Sequence, residues 1–338
     1  MNIKKIGLSA LAGSLAMFSA NAVELAVSGK TEVTYVKKDV GSNGNPFGMG
    51  NAITFSGSGD VNGMTATYTA VLGDSGQANS NTSETFASSS LMLDMGDMGT
   101  VGFDQGVGEF GVSTIDDKTP YAYEEQWTYI GSSNGLVAAG GNNVVGYKNS
   151  YAGYNLSLEI DPGHTNNTGG SAGDGASTTS ADSGFNFALT SSLGQDGLNV
   201  GIGHGTEENS PTASKALTTE FNTAFVTYAV GAVTMGVQKS SNTSEIVTAT
   251  ESEVEIAGIS FSVNENLAVS YSMMDREVAL SPATGIGGED VKEKTKALGA
   301  SYTMGSAAVR ILLADGDNIG GVEGVDNEHM EVSLLLAF

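Results

Sequence analysis

The chain has 338 residues, with 14 Lys and Arg against 38 Asp and Glu, a formal net charge of −24, three His and no Cys. So acidic a balance excludes nucleic acid as a partner and disfavours docking on an anionic lipid surface, because both need clustered cations. The lack of cysteine excludes a disulfide framework, and 47 Gly with a mean hydropathy of −0.04 point to short strands and Gly-rich turns instead of helices.

Met1-Asn2-Ile3-Lys4-Lys5 is followed by an apolar run from Ile6 to Phe18 and then Ser19-Ala20-Asn21-Ala22. A basic start, an apolar core and an Ala-x-Ala site predict a signal peptide over 1–22, removed after Ala22. That core is too short for a spanning helix. Its removal leaves 23–338, or 316 residues, and takes the charge to −26 as Lys4 and Lys5 are lost. No later stretch is apolar for long enough to span as a helix, and no linker divides 23–338, so one exported domain is expected. Its choices are periplasm, medium, or the outer membrane as a β-barrel.

Strands alternate faces with period two. From Val27 to Lys38, Val27, Gly29, Thr31, Val33 and Tyr35 share one face, while Ser28, Lys30, Glu32, Thr34, Val36 and Lys38 share the other. A mostly apolar row opposite a charged row suits a barrel wall with lipid outside and water inside. A loop over Asp39–Gly48 precedes a strand through Ile53–Ser56, and Asp60-Val61-Asn62-Gly63 reads as a tight hairpin turn into Met64–Val71. After a polar loop at 73–82, strands at about 84–95 and 100–103 flank Gly96-Asp97-Met98-Gly99. Alternation then stops from Gln105 to about Gly141. That segment carries Glu109, Asp116, Asp117, Glu124, Glu125 and the single Trp, Trp127. A strand-free stretch of this length is expected to be functional or disordered.

Hairpins resume with strands at 143–149 and 154–160, then 185–190 and 198–202 beyond a Gly/Ser/Thr/Asn loop at 162–183. Further strands are predicted near 219–229, 232–239, 251–263, 266–276, 291–303, 306–315 and 327–338. In 219–229, 251–263 and 291–303 both rows are mixed, so alternation does not assign their inner face. In the closing strand Met330, Val332, Leu334, Leu336 and Phe338 form one greasy row opposite His329, Glu331, Ser333, Leu335 and Ala337. Short turns at one end and long polar loops at the other complete the pattern. The expectation is all-β: a 16-stranded antiparallel transmembrane barrel, wide enough for an aqueous channel. Tyr35, Tyr68, Tyr154, Tyr228, Tyr271, Tyr302 and Phe338 are its expected interfacial aromatics.

The strand ending in Phe338 resembles the terminal strand of Gram-negative outer-membrane barrels. Val145-Gly146-Tyr147-Lys148-Asn149-Ser150-Tyr151-Ala152-Gly153-Tyr154 resembles the hairpin after the constriction loop of trimeric porins, and Gly99-Thr100-Val101 the strand before that loop. The resemblance implies a homotrimer embedded in outer-membrane lipid, passing small hydrophilic solutes and ions by diffusion, with the terminal Phe read by the barrel-assembly machinery. It also implies that the third long loop folds into the lumen and narrows it. Its acidic side would then be Glu109, Asp116, Asp117, Glu124 and Glu125, facing wall residues drawn by alternation from Lys30, Glu32, Lys38, Asp104, Arg276 and Arg310. Many relatives carry Gly-Arg-Gln before this loop, where this chain has Phe103-Asp104-Gln105, and the basic wall is thin with only two arginines. A carboxylate-rich lumen is expected to prefer cations, weakly to moderately. A substrate-specific channel using Trp127 or Phe110, and an exported soluble β-sandwich or surface-layer protein, are the alternatives.

No motif points to an enzyme. Gly106–Gly111 spells G-x-G-x-x-G and two loops spell G-x-S-x-G, but none lies between a strand and a helix as those chemistries require. His164, His204 and His329 are isolated. Asp315-Gly316-Asp317-Asn318 and Asp116-Asp117 bring carboxylates together in a way Ca2+ could use, though without the Glu that ends an EF-hand loop. No other cofactor is expected.

Overall fold

The computed structural model describes residues 24–38, 44–73, 88–128, 130, 142–162, 183–209, 217–245, 251–279 and 291–338. The expected leader 1–22 and most of the long polar connections lie outside them. Sixteen strands follow in order: β1 Glu24–Lys38, β2 Phe47–Val61, β3 Met64–Gly73, β4 Ser88–Asp94, β5 Thr100–Gln105, β6 Asn142–Tyr151, β7 Tyr154–Asp161, β8 Gly184–Ser191, β9 Leu198–Asn209, β10 Leu217–Val230, β11 Val233–Ser244, β12 Glu251–Ser262, β13 Leu267–Ala279, β14 Glu293–Met304, β15 Ala307–Asp317 and β16 Asn327–Ala337. Each pairs antiparallel with its neighbours in the chain, and β1 pairs with β16. The sheet therefore closes with no free edge, as the alternation predicts, and the sandwich alternative is overturned.

The barrel is inside out relative to a soluble protein. On β16 the buried residues are His329, Glu331 and Ser333, while Leu334 and Leu336 are exposed. On β12 and β13 the exposed row is Ile259, Phe261, Val269, Tyr271 and Met273. An apolar outer band of this kind suits contact with lipid. Near the loop end the outer row turns charged: Lys239 binds Glu255 at 2.9 Å and also Glu253, and Lys296 sits 3.3 Å from Asp315. Near the turn end the same face carries Tyr154, Tyr302 and Phe338, and at the opposite end Tyr35 meets Phe47 edge-on at 5.3 Å. Aromatics at both borders of the band suit the two membrane interfaces.

The strands are longer than the sequence pattern suggests. β2 begins at Phe47, inside the expected loop, because Phe47 pairs with Tyr35 and Gly48–Gly50 continue the ladder without side chains that show a pattern. β9 continues to Asn209, beyond the expected 198–202, with Gly201, Gly203 and Gly205 on its inner row. The tight turn is as predicted: Asn62 and Gly63 have φ of 55° and 82°, and the Asp60 carboxylate accepts from the Gly63 N–H at 3.1 Å.

Phe338 closes the circle at the turn end. Its N–H donates to Gly29 O at 2.9 Å and its O accepts from Gly29 N at 2.7 Å, with its ring lying over Gly29. Each such bond contributes about 1 kcal/mol. Deleting Phe338 is expected to reduce the fraction of protein that migrates as a compact, heat-modifiable species in detergent gels. Migration unchanged from wild type would show that the seam does not depend on this residue.

Candidate functional site

The β5–β6 connection, the third long loop, enters the barrel and runs round its inner wall. Asp104, buried at the end of β5, starts it by accepting from the N–H groups of Val107 (2.7 Å) and Glu109 (2.6 Å). Gly106, Gly108 and Gly111 follow with φ of 84°, 84° and 61°. The G-x-G-x-x-G string is thus a bend built of left-handed residues. At Gly111 a side chain would also collide with the Asn186 amide.

From there the wall holds the loop by its backbone. The Gly111 N–H donates to Ser157 Oγ (2.8 Å) on β7, and the Val112 N–H to Asn186 Oδ1 (2.8 Å) on β8. Gln238 on β11 accepts from the Lys118 N–H at 2.8 Å and donates to Ile115 O at 3.1 Å. The Ala122 N–H donates to Ser270 Oγ (2.8 Å) on β13. Tyr123 then reaches the seam, donating to Glu331 (2.8 Å) on β16 or Glu32 (3.1 Å) on β1, with the Arg310 guanidinium 4.4 Å above its ring. Asn327 Nδ2 donates to Ile130 O at 2.9 Å. Contacts that begin at β5 and reach β16 and β1 place this segment in the lumen.

Apolar anchors alternate with these bonds. Phe110 lies on Gly146, and Ile115 packs with Ala188 and Phe225. Trp127 packs with Val254, Ile256 and Met274, and Ile130 with Ala297, Leu312, Ala314 and Ile319. This accounts for part of the mixing in the strands: where the loop covers them, the inner rows of β12 and β14 carry Val254, Ile256 and Ala297 among polar residues. Phe110 and Trp127 are buried, 0% and 8% exposed, so neither offers a ring face to a passing solute.

All five loop carboxylates expected at the constriction fall on this lumenal strap, each half-buried. Glu109 is paired with Lys148 at 2.7 Å. Asp116 and Asp117 are adjacent, Asp117 in a left-handed conformation with φ 47°. Burial, then the charges of Asp116 and Glu125, push the Asp117 carboxyl up to about 8. Burial raises Asp116 as well. Burial, then the charges of Glu331, Glu125 and Glu32, push Glu124 up to about 8 against the opposing pull of Arg310. Burial followed by the nearby Glu125 raises the Tyr121 phenol, which stays neutral.

The wall residues divide. Lys30 is exposed on the inner row of β1. Arg310 faces inward but is ion-paired with Glu32, and Arg276 with the fully buried Glu293 at 3.3 Å. Both arginines act as struts, and Asp104 as a loop anchor. Lys38 pairs with His329 in the backbone ladder, and its side chain lies outside the described residues. Lys148 escaped the sequence reading, although Val144, Gly146 and Lys148 share the inner row of β6 and alternation would have found it. Gln238, Ser270, Ser157 and Asn186 were missed too, since nothing local marks an inward Ser or amide as a loop anchor. Asp315, raised for calcium, faces outward against Lys296. Among the described residues no group of three His, Cys, Asp or Glu is arranged to hold a metal ion.

Between the loop and the turn-end wall lies a cavity of about 880 Å3, lined by Asp94, Lys118, Lys148, Asn155, Ser157 and Thr190 among others. Its polar lining and open ends suit water and hydrated solutes.

A family model described as Gram-negative porin matches residues 7–334. No curated protein sequence matches the chain. Among solved structures, OmpF of Salmonella typhi in complex with daunomycin is similar at a TM-score of 0.68 and 15% identity, covering 94% of this chain and 99% of that one. The outer membrane channel DcaP of Acinetobacter baumannii is similar at 0.68 and 12%, covering 94% and 98%. A loop-deletion mutant of OmpT, an outer membrane protein of Vibrio cholerae, is similar at 0.64 and 13%, covering 94% and 100%.

Proposed function

The chain belongs to the Gram-negative porin family and resides in the cell outer membrane, and on that premise we propose that it is a general-diffusion channel with a weak to moderate preference for cations. The observation that carries this reading is the acidic strap inside a closed barrel. Asp116, Asp117, Glu124 and Glu125 lie together on the loop, while the wall arginines are consumed by Glu32 and Glu293. Carboxylates left in excess within a low-dielectric wall raise the local cation concentration and oppose anions. Passage needs no bond-making step. A solute crosses if it fits beside the loop and its charge is tolerated, and the chain carries out no catalysis. The buried state of Phe110 and Trp127 favours unselective diffusion over a substrate-specific aromatic path. We further propose a homotrimer, delivery by the barrel-assembly machinery through the strand ending in Phe338, and a mature chain beginning at Val23.

Purified protein in planar lipid films tests the main reading. Stepwise conductance, with a zero-current potential of cationic sign in a potassium chloride gradient, is the expected result. Silent films would end the channel reading, and a potential of anionic sign would end the selectivity reading alone. Openings in groups of three would support the trimer.

A further inference from the structure

The inner wall beneath the loop is recessed by glycine at several points where the loop packs on it. A methyl carbon added at Gly203 would lie 2.8 Å from Ile115 Cδ1, at Gly316 2.6 Å from Ile130 Cγ2, and at Gly146 within the Phe110 ring. The recess matters most at Pro120, in the middle of the acidic stretch. A Cβ on Gly258 of β12 would stand 2.7 Å from Pro120 O, and one on Gly236 of β11 would stand between Thr227 Cγ2 of the wall at 2.8 Å and Pro120 Cδ of the loop at 3.0 Å. Proline has no N–H to hang from the wall. The loop is pinned on either side of it, through Lys118 to Gln238 and Ala122 to Ser270, each at 2.8 Å. Between those pins lie the buried Thr119 and then Pro120, which the absent side chains of Gly236 and Gly258 allow to seat against the wall.

We propose that Gly236 and Gly258 set the width of the channel by setting how close to the wall Pro120, and with it the Asp116–Glu125 carboxylates, can lie. The inference rests on the channel reading above. A heavy-atom separation under about 3 Å must be relieved by movement, and close-packed surroundings pass such strain on. The wall at this point is a hydrogen-bonded ladder closed on itself, with Gly236 opposite Thr227 and Gly258 opposite Ser272. The loop is held by side-chain hydrogen bonds and by apolar anchors at Phe110, Ile115, Trp127 and Ile130, none of which lies between the pins at Lys118 and Ala122. The loop therefore yields, and it yields into the lumen.

The test uses Gly236→Ala and Gly258→Ala, with Gly50→Ala as control, since an added Cβ at Gly50 meets nothing within 4 Å. Single-channel conductance and the size limit for neutral sugars in proteoliposomes are measured for protein that keeps wild-type heat-modifiable migration. Both loop-facing variants are expected to lose about twofold in conductance and to exclude smaller sugars than wild type does, while the control is unchanged. Adding Pro120→Ala to Gly236→Ala removes the Cδ atom of the loop, and adding Thr227→Ser instead removes the Cγ2 atom of the wall; the first is expected to restore most of the loss and the second little, an order that a wall defect would reverse. If Gly258→Ala does not fold, the Gly236 and Pro120 pair decides. Wild-type conductance with unaltered values in a folded Gly236→Ala, or a loss that Pro120→Ala does not relieve, would overturn the proposal. A silent wild type would instead overturn the channel reading on which it stands.

Discussion

Replacing Arg310 with alanine is expected to loosen the third loop, lower thermal stability and strengthen cation preference together. One guanidinium serves three neighbours: it pairs with Glu32, donates from Nε to Ser333 Oγ at 3.2 Å, and lies 4.4 Å above the Tyr123 ring. It is also the cation that opposes the charges crowding Glu124. A stacked cation contributes about 0.5–2 kcal/mol. Breaking a fully buried ion pair costs about 3–5 kcal/mol, because the partner stays behind uncompensated. Arg310 and Glu32 keep about a fifth of their side-chain surface in contact with solvent, so the whole loss is placed on the order of 3 kcal/mol, with water screening part of the pair. The released carboxylate of Glu32 adds negative potential to the lumen, and Tyr123 loses the cation above its ring. Thermal loss of the heat-modifiable form should begin at lower temperature, and current traces should show added flicker with a more cationic zero-current potential. Arg310→Lys, which keeps charge without the planar fork, should restore selectivity better than it restores the melting transition. An alanine variant matching wild type in both measurements would show that the loop tip is held without this residue.

The barrel was legible because period-two alternation survives wherever lipid faces one side of a strand and water the other, as in β1 and β16. It faded in β12 and β14 for a definite reason: Val254, Ile256 and Ala297 face inward yet are covered by Trp127 and Ile130, so apolar residues enter the inner row, while Glu253, Glu255, Lys294 and Lys296 put charge in the outer one. The acidic loop was legible as a cluster, since Asp116, Asp117, Glu124 and Glu125 are neighbours in the chain. Alternation also turned Arg276 and Arg310 inward correctly. What it could not show is their state, because the neutralising partner of Arg276 is Glu293 on the adjacent strand, and that of Arg310 is Glu32 across the barrel seam. A free basic row and a set of closed ion pairs look alike in one dimension. The glycines suffer the same ambiguity. Gly203 lies just past the expected 198–202 strand and Gly258 inside the expected 251–263 strand, and only the packed loop reveals them as recesses.

The second large effect expected is a rise in cation preference between about pH 7 and pH 9, above the range where ordinary carboxyls titrate. Asp117 and Glu124 are both raised to about 8, by burial first and then by neighbouring carboxylates. For an acid the sign is direct: below its raised value the group is protonated and neutral, and above it the group carries charge. Near neutral pH the strap therefore holds less negative charge than its carboxyl count suggests, and two further charges develop as pH passes through 8. The raised Tyr121 phenol adds nothing over this window. The cation-to-anion permeability ratio should climb by about threefold or more, with its midpoint near pH 8. Because Asp116 and Asp117 interact, the midpoint belongs to the pair and not to either residue alone. The double variant Asp117→Asn, Glu124→Gln should resemble wild type at pH 6.5, where those groups are already neutral, and stay flat to pH 9. A channel whose four carboxyls were all ionised at neutrality would behave the opposite way: the variant would lose selectivity at pH 6.5, and wild type would show no step. The two cases separate on the same zero-current measurement, and the second would show that water reaches these side chains more freely than their burial against the wall allows.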